Sequence, residues 1–293
     1  MAAHSTGVRR LVVVLIAMLC VGAVVRPRAA QAMRIVSLVP ALTEMLFALG
    51  AGPQVVGVSN FDDYPPAVTS LPRVGALLDP NMERILSLRP DLVIVYGSQT
   101  DAQQQLERAR IRTYSYRHAG LAGILSTLRE LGAAVGRAHD GERLAGELQA
   151  RLDRIKARVA GRRRLRTLLV FERDPGSLRG IFVSGGVGFL HDMLGIAGGS
   201  DVFADVARES VQPSIETILA RAPEVILELR VRDDVPPARL GKERSAWMTL
   251  SSIPAVKDNR VHILAGQYLV VPGPRVGQAT EAIARTLHPE AFK

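Results

Sequence analysis

The sequence predicts an α/β protein of two similar lobes, each built on a parallel sheet, joined by one long backbone helix. Three observations lead there. Short aliphatic runs alternate with amphipathic segments along most of the chain, the pattern of βα units. From Asp140 to Ala160 the pattern changes: Leu144, Leu148, Leu152, Ile155 and Val159 fall on one stripe, with charged residues between them. The chain also repeats itself. Pro80-Asn-Met-Glu83-Arg-Ile85-Leu86-Ser-Leu-Arg-Pro90-Asp91-Leu-Val-Ile recurs, 133 residues later, as Pro213-Ser-Ile-Glu216-Thr-Ile218-Leu219-Ala-Arg-Ala-Pro223-Glu224-Val-Ile-Leu. That spacing exceeds the roughly 20–50 residues of a solenoid unit and suits two domains of ordinary size. The long helix lies between the copies and spans roughly 30 Å at about 1.5 Å per residue. Two matching lobes, each carrying an acid at the same place, imply something held between them or a partner gripped by both.

The elements follow in order. Arg9 and Arg10, the apolar run Leu11 to Val25 and the small-residue site Ala30-Gln31-Ala32 make residues 1–32 a signal peptide, cleaved near Ala32. The run stops at Arg26, short of the ~20 apolar residues of a membrane span. Retention as an anchor, twin-arginine export and lipidation are lesser readings. Val8 precedes the arginine pair with no Phe after it, and Ala17-Met18-Leu19-Cys20 is a poor lipobox. Cys20 is the one cysteine, so the mature chain forms no disulfide and no thiolate metal site. No later segment is long and apolar enough to span a membrane.

The first lobe is expected over 33–138. It holds strands at Arg34–Val39, Val55–Ser59, Asp91–Tyr96 and Thr113–Tyr116. Its helices run from Pro40 to Leu49, across the first repeat copy with Pro80 at the start and Pro90 at the end, and over Gln103–Ala109. The loop Asn60-Phe61-Asp62-Asp63-Tyr64-Pro65-Pro66 is stiffened by two prolines. The connecting helix is placed at 139–161 and the second lobe at 162–293. That lobe holds strands at Thr167–Phe171, Val225–Leu229 and Arg260–Leu264, with helices at Val187–Leu194, across the second repeat copy and at Gly277–Leu287. The two lobes echo each other beyond the repeat: Ser37 precedes Glu44-Met45-Leu46 and Gly50 as Ser184 precedes Asp192-Met193-Leu194 and Gly198.

The formal charge is +9, and loss of Arg9, Arg10, Arg26 and Arg28 with the signal leaves +5. The densest basic run, Arg162-Arg163-Arg164 with Arg166, is assigned to a helix end, where cations offset the helix dipole. A nucleic-acid footprint needs basic residues gathered on one face, so no nucleic-acid partner is expected.

Several stretches then resemble one family. Arg34-Ile-Val-Ser-Leu-Val-Pro-Ala-Leu-Thr-Glu44, Asp63-Tyr64-Pro65-Pro66, Asn81-Met82-Glu83-Arg84-Ile85, Arg89-Pro-Asp-Leu-Val-Ile94 and Pro272-Gly-Pro-Arg275 look like the periplasmic binding proteins of cobalamin and iron-complex ABC importers. The resemblance covers about 34 to 290. It implies a periplasmic monomer that binds a small-molecule metal complex in a cleft between two lobes and delivers it to an ABC permease dimer with its ATPase. One connecting helix limits closure, because hinges sit in loops or element ends, so the cleft should be largely pre-formed. The resemblance also implies that Glu83 and Glu216, one per lobe, dock on the permease. Each would equally be favoured by the dipole in a helix's first turn.

Ligand contacts are expected from Phe61, Tyr64, Leu77 and Tyr96 in the first lobe. From the second they are expected from Phe171, Arg173, Phe182, Ser210, Gln212, Gln267, Tyr268 and Arg275. A flat corrin or porphyrin needs aromatic walls and a few polar anchors. Phe61, Tyr96, Phe182 and Tyr268 match aromatic positions of the vitamin B12-binding members. Leu77 and Ser210 stand where those members carry tryptophan, and Gln267 where an acid is seen. Each aromatic could instead be lobe packing, and Tyr64 could brace the Pro-Pro loop.

A cobalamin-like corrinoid is the leading ligand, with haem or a ferric siderophore as alternatives. Haem would want an axial Tyr or His, for which Tyr96, Tyr114, Tyr116, His118, His191 and His262 are available. An anionic siderophore would want Arg73, Arg117, Arg173 or Arg275, though Arg275 could serve only in a salt bridge. No resident cofactor, metal site or catalytic residue is expected. Val183-Ser184-Gly185-Gly186 lacks the leading glycine of a nucleophile elbow. No P-loop or H-E-x-x-H occurs, and Gly185-Gly186-Val187-Gly188 has no lysine to complete an anion cradle. An enzyme on this fold, or a ligand sensor, are the readings from other classes.

Overall fold

The computed structural model describes residues 32–231 and 236–293, so the expected signal peptide lies, but for Ala32, outside the described residues. The first sheet holds β1 (Ile35–Ser37), β2 (Val55–Val58), β3 (Leu92–Tyr96) and β4 (Arg112–Tyr116) in the order β2-β1-β3-β4, all parallel. Each crossover carries helix: α1 (Pro40–Ala48), α2 (Met82–Ser87) and α3 (Thr100–Arg108). Then come α4 (Leu121–Ala134) and the long α5 (Ala138–Arg158).

The second sheet holds β5 (Leu165–Glu172), β6 (Phe182–Ser184), β7 (Gly199–Asp201), β8 (Ser210–Val211), β9 (Val225–Arg230) and β10 (Val261–Ala265). Its order is β10-β9-β5-β6-β8, with β7 also on β5. Its helices are α6 (Phe189–Ile196), α7 (Ile215–Arg221), α8 (Pro237–Trp247), α9 (Pro254–Lys257) and α10 (Val276–Leu287).

The second sheet is mixed, which corrects the expectation of two parallel sheets. β10, β9, β5 and β7 run parallel, but β6 pairs antiparallel with both β5 and β8. The segment between β5 and β6 has no helix, and parallel neighbours need a crossover that this turn does not supply. The sequence reading also missed α4, α8 and α9. The long helix is not a lone rod: α4 packs along it. Gly132 and Gly141 permit that approach, since a Cβ on either would lie 2.8 or 2.7 Å from backbone oxygen of the other helix's segment. The arginine run does not end a helix. α5 stops at Arg158, and Arg162 pairs with Glu290, Arg163 with Glu224, and Arg164 with the Gly195 and Gly199 carbonyls.

The repeat is repeated in space. Asn81 and Ser214 cap α2 and α7, each accepting a hydrogen bond from the backbone N–H three residues on. Ile85 and Ile218 are fully buried. Arg89 and Ala222, again equivalent, both turn the chain with positive φ, 47° and 44°. Asp91 and Glu224 then accept the N–H of Arg34 and Arg166, which stand just before β1 and at the start of β5. The acid at the repeat's end thus fixes the register of β3 on β1 and of β9 on β5.

Alternate side chains face opposite layers, as strands require. Val36, Val93 and Val95 meet Ile85 under α2. Leu168, Val170 and Ile226 meet Ile218 and Trp247 under α7 and α8. The other faces (Ile35, Leu92, Ile94, and Leu169, Leu227, Leu229) share one core with Leu148 and Leu152 of α5. Residues Met33–Lys293 therefore form one compact unit, in which the two sheets are tied through common helices. Among the described residues no helix is long and apolar enough to cross a membrane.

Candidate functional site

In open α/β sheets ligands bind outside the carboxyl ends of the strands. β3 and β4 end at Tyr96 and Tyr116, and His118 follows; β5 ends at Phe171 and Glu172. These ends meet around a cavity of about 270 Å³ lined by His118 from the first lobe and by Phe171, Val187, Gly188, Phe189, Leu190, Glu209, Ser210 and Val270 from the second. A larger depression of about 670 Å³ lies at the opposite edge, around Leu165 and Val225 at the strand beginnings. Its place at the wrong end of the strands argues against it. The inter-lobe cavity is below the ~300–1,000 Å³ usual for small-molecule sites, so it can hold only part of a macrocycle.

An aromatic string runs into this cavity. Tyr96 contacts Tyr116 edge-on at 6.0 Å, Tyr116 contacts His118 at 6.3 Å, and His118 meets Phe189 of the other lobe at 5.2 Å. The Tyr116 hydroxyl lies 3.1 Å from His118 Nδ1, and His118 Nε2 lies 3.7 Å from a Glu209 oxygen. Burial holds the Tyr116 phenol well above its ordinary pKa, so it keeps its proton. Burial lowers the His118 pKa, opposed by Glu209. A neutral His118 facing a carboxylate carries its proton on Nε2, and Nδ1 then accepts from Tyr116.

The expected contact residues separate into groups. Phe171 and Ser210 line the cavity, and Phe182 packs on Phe171 at 6.4 Å. Tyr96 sits half-buried at the end of its strand. Phe61, Tyr64 and Leu77 are exposed on first-lobe loops, Phe61 at 65 %. Leu78 beside them, which sequence reasoning passed over, is 94 % exposed. Gln267 and Tyr268 lie on the short 3-10 turn Gln267–Leu269 after β10, and Gln212 is exposed before α7.

One arginine does not stand as expected, and Arg275 takes the salt-bridge reading. Arg173 is a correction: its side chain is fully buried within the second lobe, held by Glu228 at 3.0 Å and Glu243 at 2.9 Å, with Trp247 beneath it. Burying that cation required those acids, which lie 55 and 70 residues on and could not be paired with it from spacing. Arg275 reaches across to the first lobe. It forms a bidentate pair with Glu44, and its guanidinium lies 3.8 Å over the Tyr64 ring. Arg73 donates to the carbonyls of Ser59 and Asp62. Of the four arginines considered for an anionic ligand, Arg117 alone remains exposed.

Sequence reasoning missed Glu209 as a cavity residue; a free acid next to Ser210 was the available signal. It gave His118 only as a haem candidate. Among the described residues no group of three or more His, Cys, Asp or Glu could hold a metal ion. Glu83 and Glu216 are exposed in the first turns of α2 and α7.

A family model described as periplasmic binding protein matches residues 35–268. A vitamin B12-binding protein of Salmonella typhimurium is 32% identical over 228 residues, covering 77% of this chain and 81% of that one. YvrC of Bacillus subtilis, an uncharacterized ABC transporter substrate-binding lipoprotein, is 30% identical over 268 residues, covering 89% and 81%. The solved structure of the periplasmic heme-binding protein RhuT from Roseiflexus sp. RS-1, in apo form, matches with a TM-score of 0.74 at 27% identity, covering 89% of this chain and 99% of that one.

Proposed function

The chain belongs to the periplasmic binding protein family, and from that premise we propose that it captures a cobalamin-like corrinoid in the periplasm and hands it to an ABC import permease and its ATPase. The capture is binding, not turnover. The observation that carries the ligand class is the fate of the arginines. Arg173 is buried with every guanidinium nitrogen bonded, Arg275 is committed to Glu44, and Arg73 Nη1 is held by two backbone carbonyls, so Arg117 is the one of the four left exposed to meet an anion. What the cleft does offer is ring faces and apolar loops: Phe61, Tyr64, Leu77, Phe171 and Phe182. That suits a large, neutral, weakly polar face. The vitamin B12-binding relative supports the same ligand.

Haem is the second reading, favoured by His118, whose Nε2 edge faces the cavity as an axial ligand would. Calorimetric titration of residues 33–293 with cyanocobalamin, haemin and ferric siderophores separates the readings. Trp247 is buried in the outer layer of the second lobe, so its fluorescence is a poor reporter. Submicromolar 1:1 binding of cyanocobalamin, recovered unchanged, is the expected result. Tight haemin binding with a Soret shift lost in His118→Ala would favour haem.

For delivery, Glu83 and Glu216 stand at equivalent places on the two lobes, as a two-fold partner requires. Their exposure and the ABC transporter relative support this role.

A further inference from the structure

The Glu209 carboxylate is half exposed on the wall of the inter-lobe cavity. It lines the inter-lobe cavity, yet no hydrogen bond to it occurs among the described residues; its nearest partner is the His118 ring at 3.7 Å, beyond hydrogen-bond reach. No lysine or arginine lines that cavity. Ser210 adds a hydroxyl on the same wall, and Phe171 and Phe189 close it with apolar surface. The cavity therefore offers a half-exposed anionic acceptor, a ring N–H and a hydroxyl on an otherwise apolar wall.

We propose that this niche is a specificity subsite for a primary carboxamide on the rim of the ligand, with Glu209 as the discriminating residue. The amide NH2 donates to the Glu209 carboxylate, and the amide carbonyl accepts from the Ser210 hydroxyl or from His118 Nε2–H. A primary amide alone among common rim substituents presents donors and an acceptor on one small planar group. A carboxylate in the same place would face Glu209 with no cation to offset it, and like charges at such range repel. The niche thus favours an amide-bearing corrin over the acid-bearing rims of haem and most ferric siderophores. Its small volume fits one side group, while the ring lies in the open groove. This rests on the corrinoid reading above and sharpens it.

The test compares cyanocobalamin with its three monocarboxylates, in each of which one peripheral propionamide has been hydrolysed to the acid. Binding is measured by calorimetry on residues 33–293, as wild type and as Glu209→Gln. The variant should keep its melting temperature, because the carboxylate it replaces accepts no hydrogen bond. In the wild type at least one monocarboxylate should bind about tenfold or more weaker than the parent, a gap of about 1.4 kcal/mol. Glu209→Gln should narrow that gap to about threefold or less by strengthening the acid. Added salt should narrow the wild-type gap as well. If all three acids bind wild type as the parent does, or if Glu209→Gln leaves the gap unchanged, the subsite is wrong while the corrinoid reading stands. If cyanocobalamin itself does not bind wild type, the corrinoid reading fails and the subsite falls with it.

Discussion

Glu44 and Arg275, 231 residues apart in the chain, lock the first lobe to the second: Arg275 Nε donates to Oε2 at 2.8 Å and Nη2 to Oε1 at 2.6 Å. Glu44 is nearly inaccessible, and Arg275 stands just before α10 with its guanidinium on the Tyr64 ring. This pair joins lobes that already share a core through α5. Contacts within the protein thus tie the two lobes to each other.

Arg275→Ala should be costly, and more so at high pH. Burial raises the Glu44 pKa, with Arg275 opposing. An acid whose folded pKa is raised binds its proton more tightly when folded. It destabilises above the folded pKa, and the penalty fades as pH falls toward the unfolded value. Removing Arg275 enlarges that penalty. The expected loss is roughly 3–5 kcal/mol near pH 8, shrinking toward about pH 5. Urea denaturation at both values decides it; a loss independent of pH would mean that the cost is packing alone.

Asp62 predicts the opposite sign for a substitution. Its Oδ2 accepts from Ser59 N and Oγ at 2.8 and 2.6 Å, while Oδ1 has no partner among the described residues. Burial raises its pKa, against hydrogen bonds from Ser59. Asp62→Asn keeps an acceptor for Ser59 and removes the buried charge. Its melting temperature at about pH 8 should equal or exceed that of wild type, and the gap should close as pH falls through the raised native pKa to below about 3, where the wild-type carboxyl is protonated in both the folded and the unfolded chain. A clear loss at pH 8 would show that the charge is needed, most simply by Arg73.

Much of this architecture was legible in the sequence because it is local or repeated. The paired helices, the buried Ile85 and Ile218, and the exposed Glu83 and Glu216 all follow from one pattern seen twice, although the first helix starts at Met82 behind an Asn81 cap and not at Pro80 as expected. The apolar stripe of α5 placed the connector. What escaped were pairings set by three-dimensional contact. Glu44 finds Arg275, Arg173 finds Glu228 and Glu243, and His118 approaches Glu209 only after both lobes have formed. The antiparallel β6 and β8 escaped for a different reason: three and two residues are too few to carry a period. α4 was legible, with Leu121, Ile124, Leu125, Leu128 and Leu131 at helical spacing, and was overlooked beside the longer stripe that follows it.

Arg173→Ala should separate folding from binding. The substitution leaves Glu228 and Glu243 buried without their cation, although Arg230 still reaches both. The expected stability loss is roughly 3 kcal/mol or more, read from urea denaturation. Ligand affinity, measured by calorimetry at a temperature where the variant is folded, should stay within about twofold of wild type. A large fall in affinity with unchanged stability would return Arg173 to the site.

Glu83→Ala with Glu216→Ala should abolish uptake in cells while ligand affinity is unchanged. Neither carboxylate lies in the cavity. Each loses only a favourable place in a helix's first turn, an effect that solvent screens at these exposed positions. Normal uptake by the double variant would sink the docking role.

Asp192 makes the inter-lobe contact at the position that parallels Glu44, with a backbone N–H in place of an arginine. The sequence aligned the two acids, each on the first helix of its half. Glu44 on α1 reaches the start of α10 in the second lobe; Asp192 on α6 reaches the start of α4 in the first, accepting the Leu121 N–H at 2.9 Å. Gly120 makes room for it, since a Cβ there would lie 2.3 Å from Asp192 Oδ2. Each half thus sends an acid across to the other: Glu44 pairs with the Arg275 side chain, and Asp192 accepts a backbone N–H at a helix head, where the dipole favours negative charge. Asp192→Ala should cost about 0.5–2 kcal/mol, as losing a helix cap does. Asp192→Asn, which keeps an acceptor, should cost less. Gly120→Ala should cost at least as much as Asp192→Ala, because it displaces the acid and crowds the joint. Melting curves of the three variants test this ordering. If Gly120→Ala is neutral, the lobes have slack at this joint, and a cleft pre-formed by crossed contacts is the wrong description.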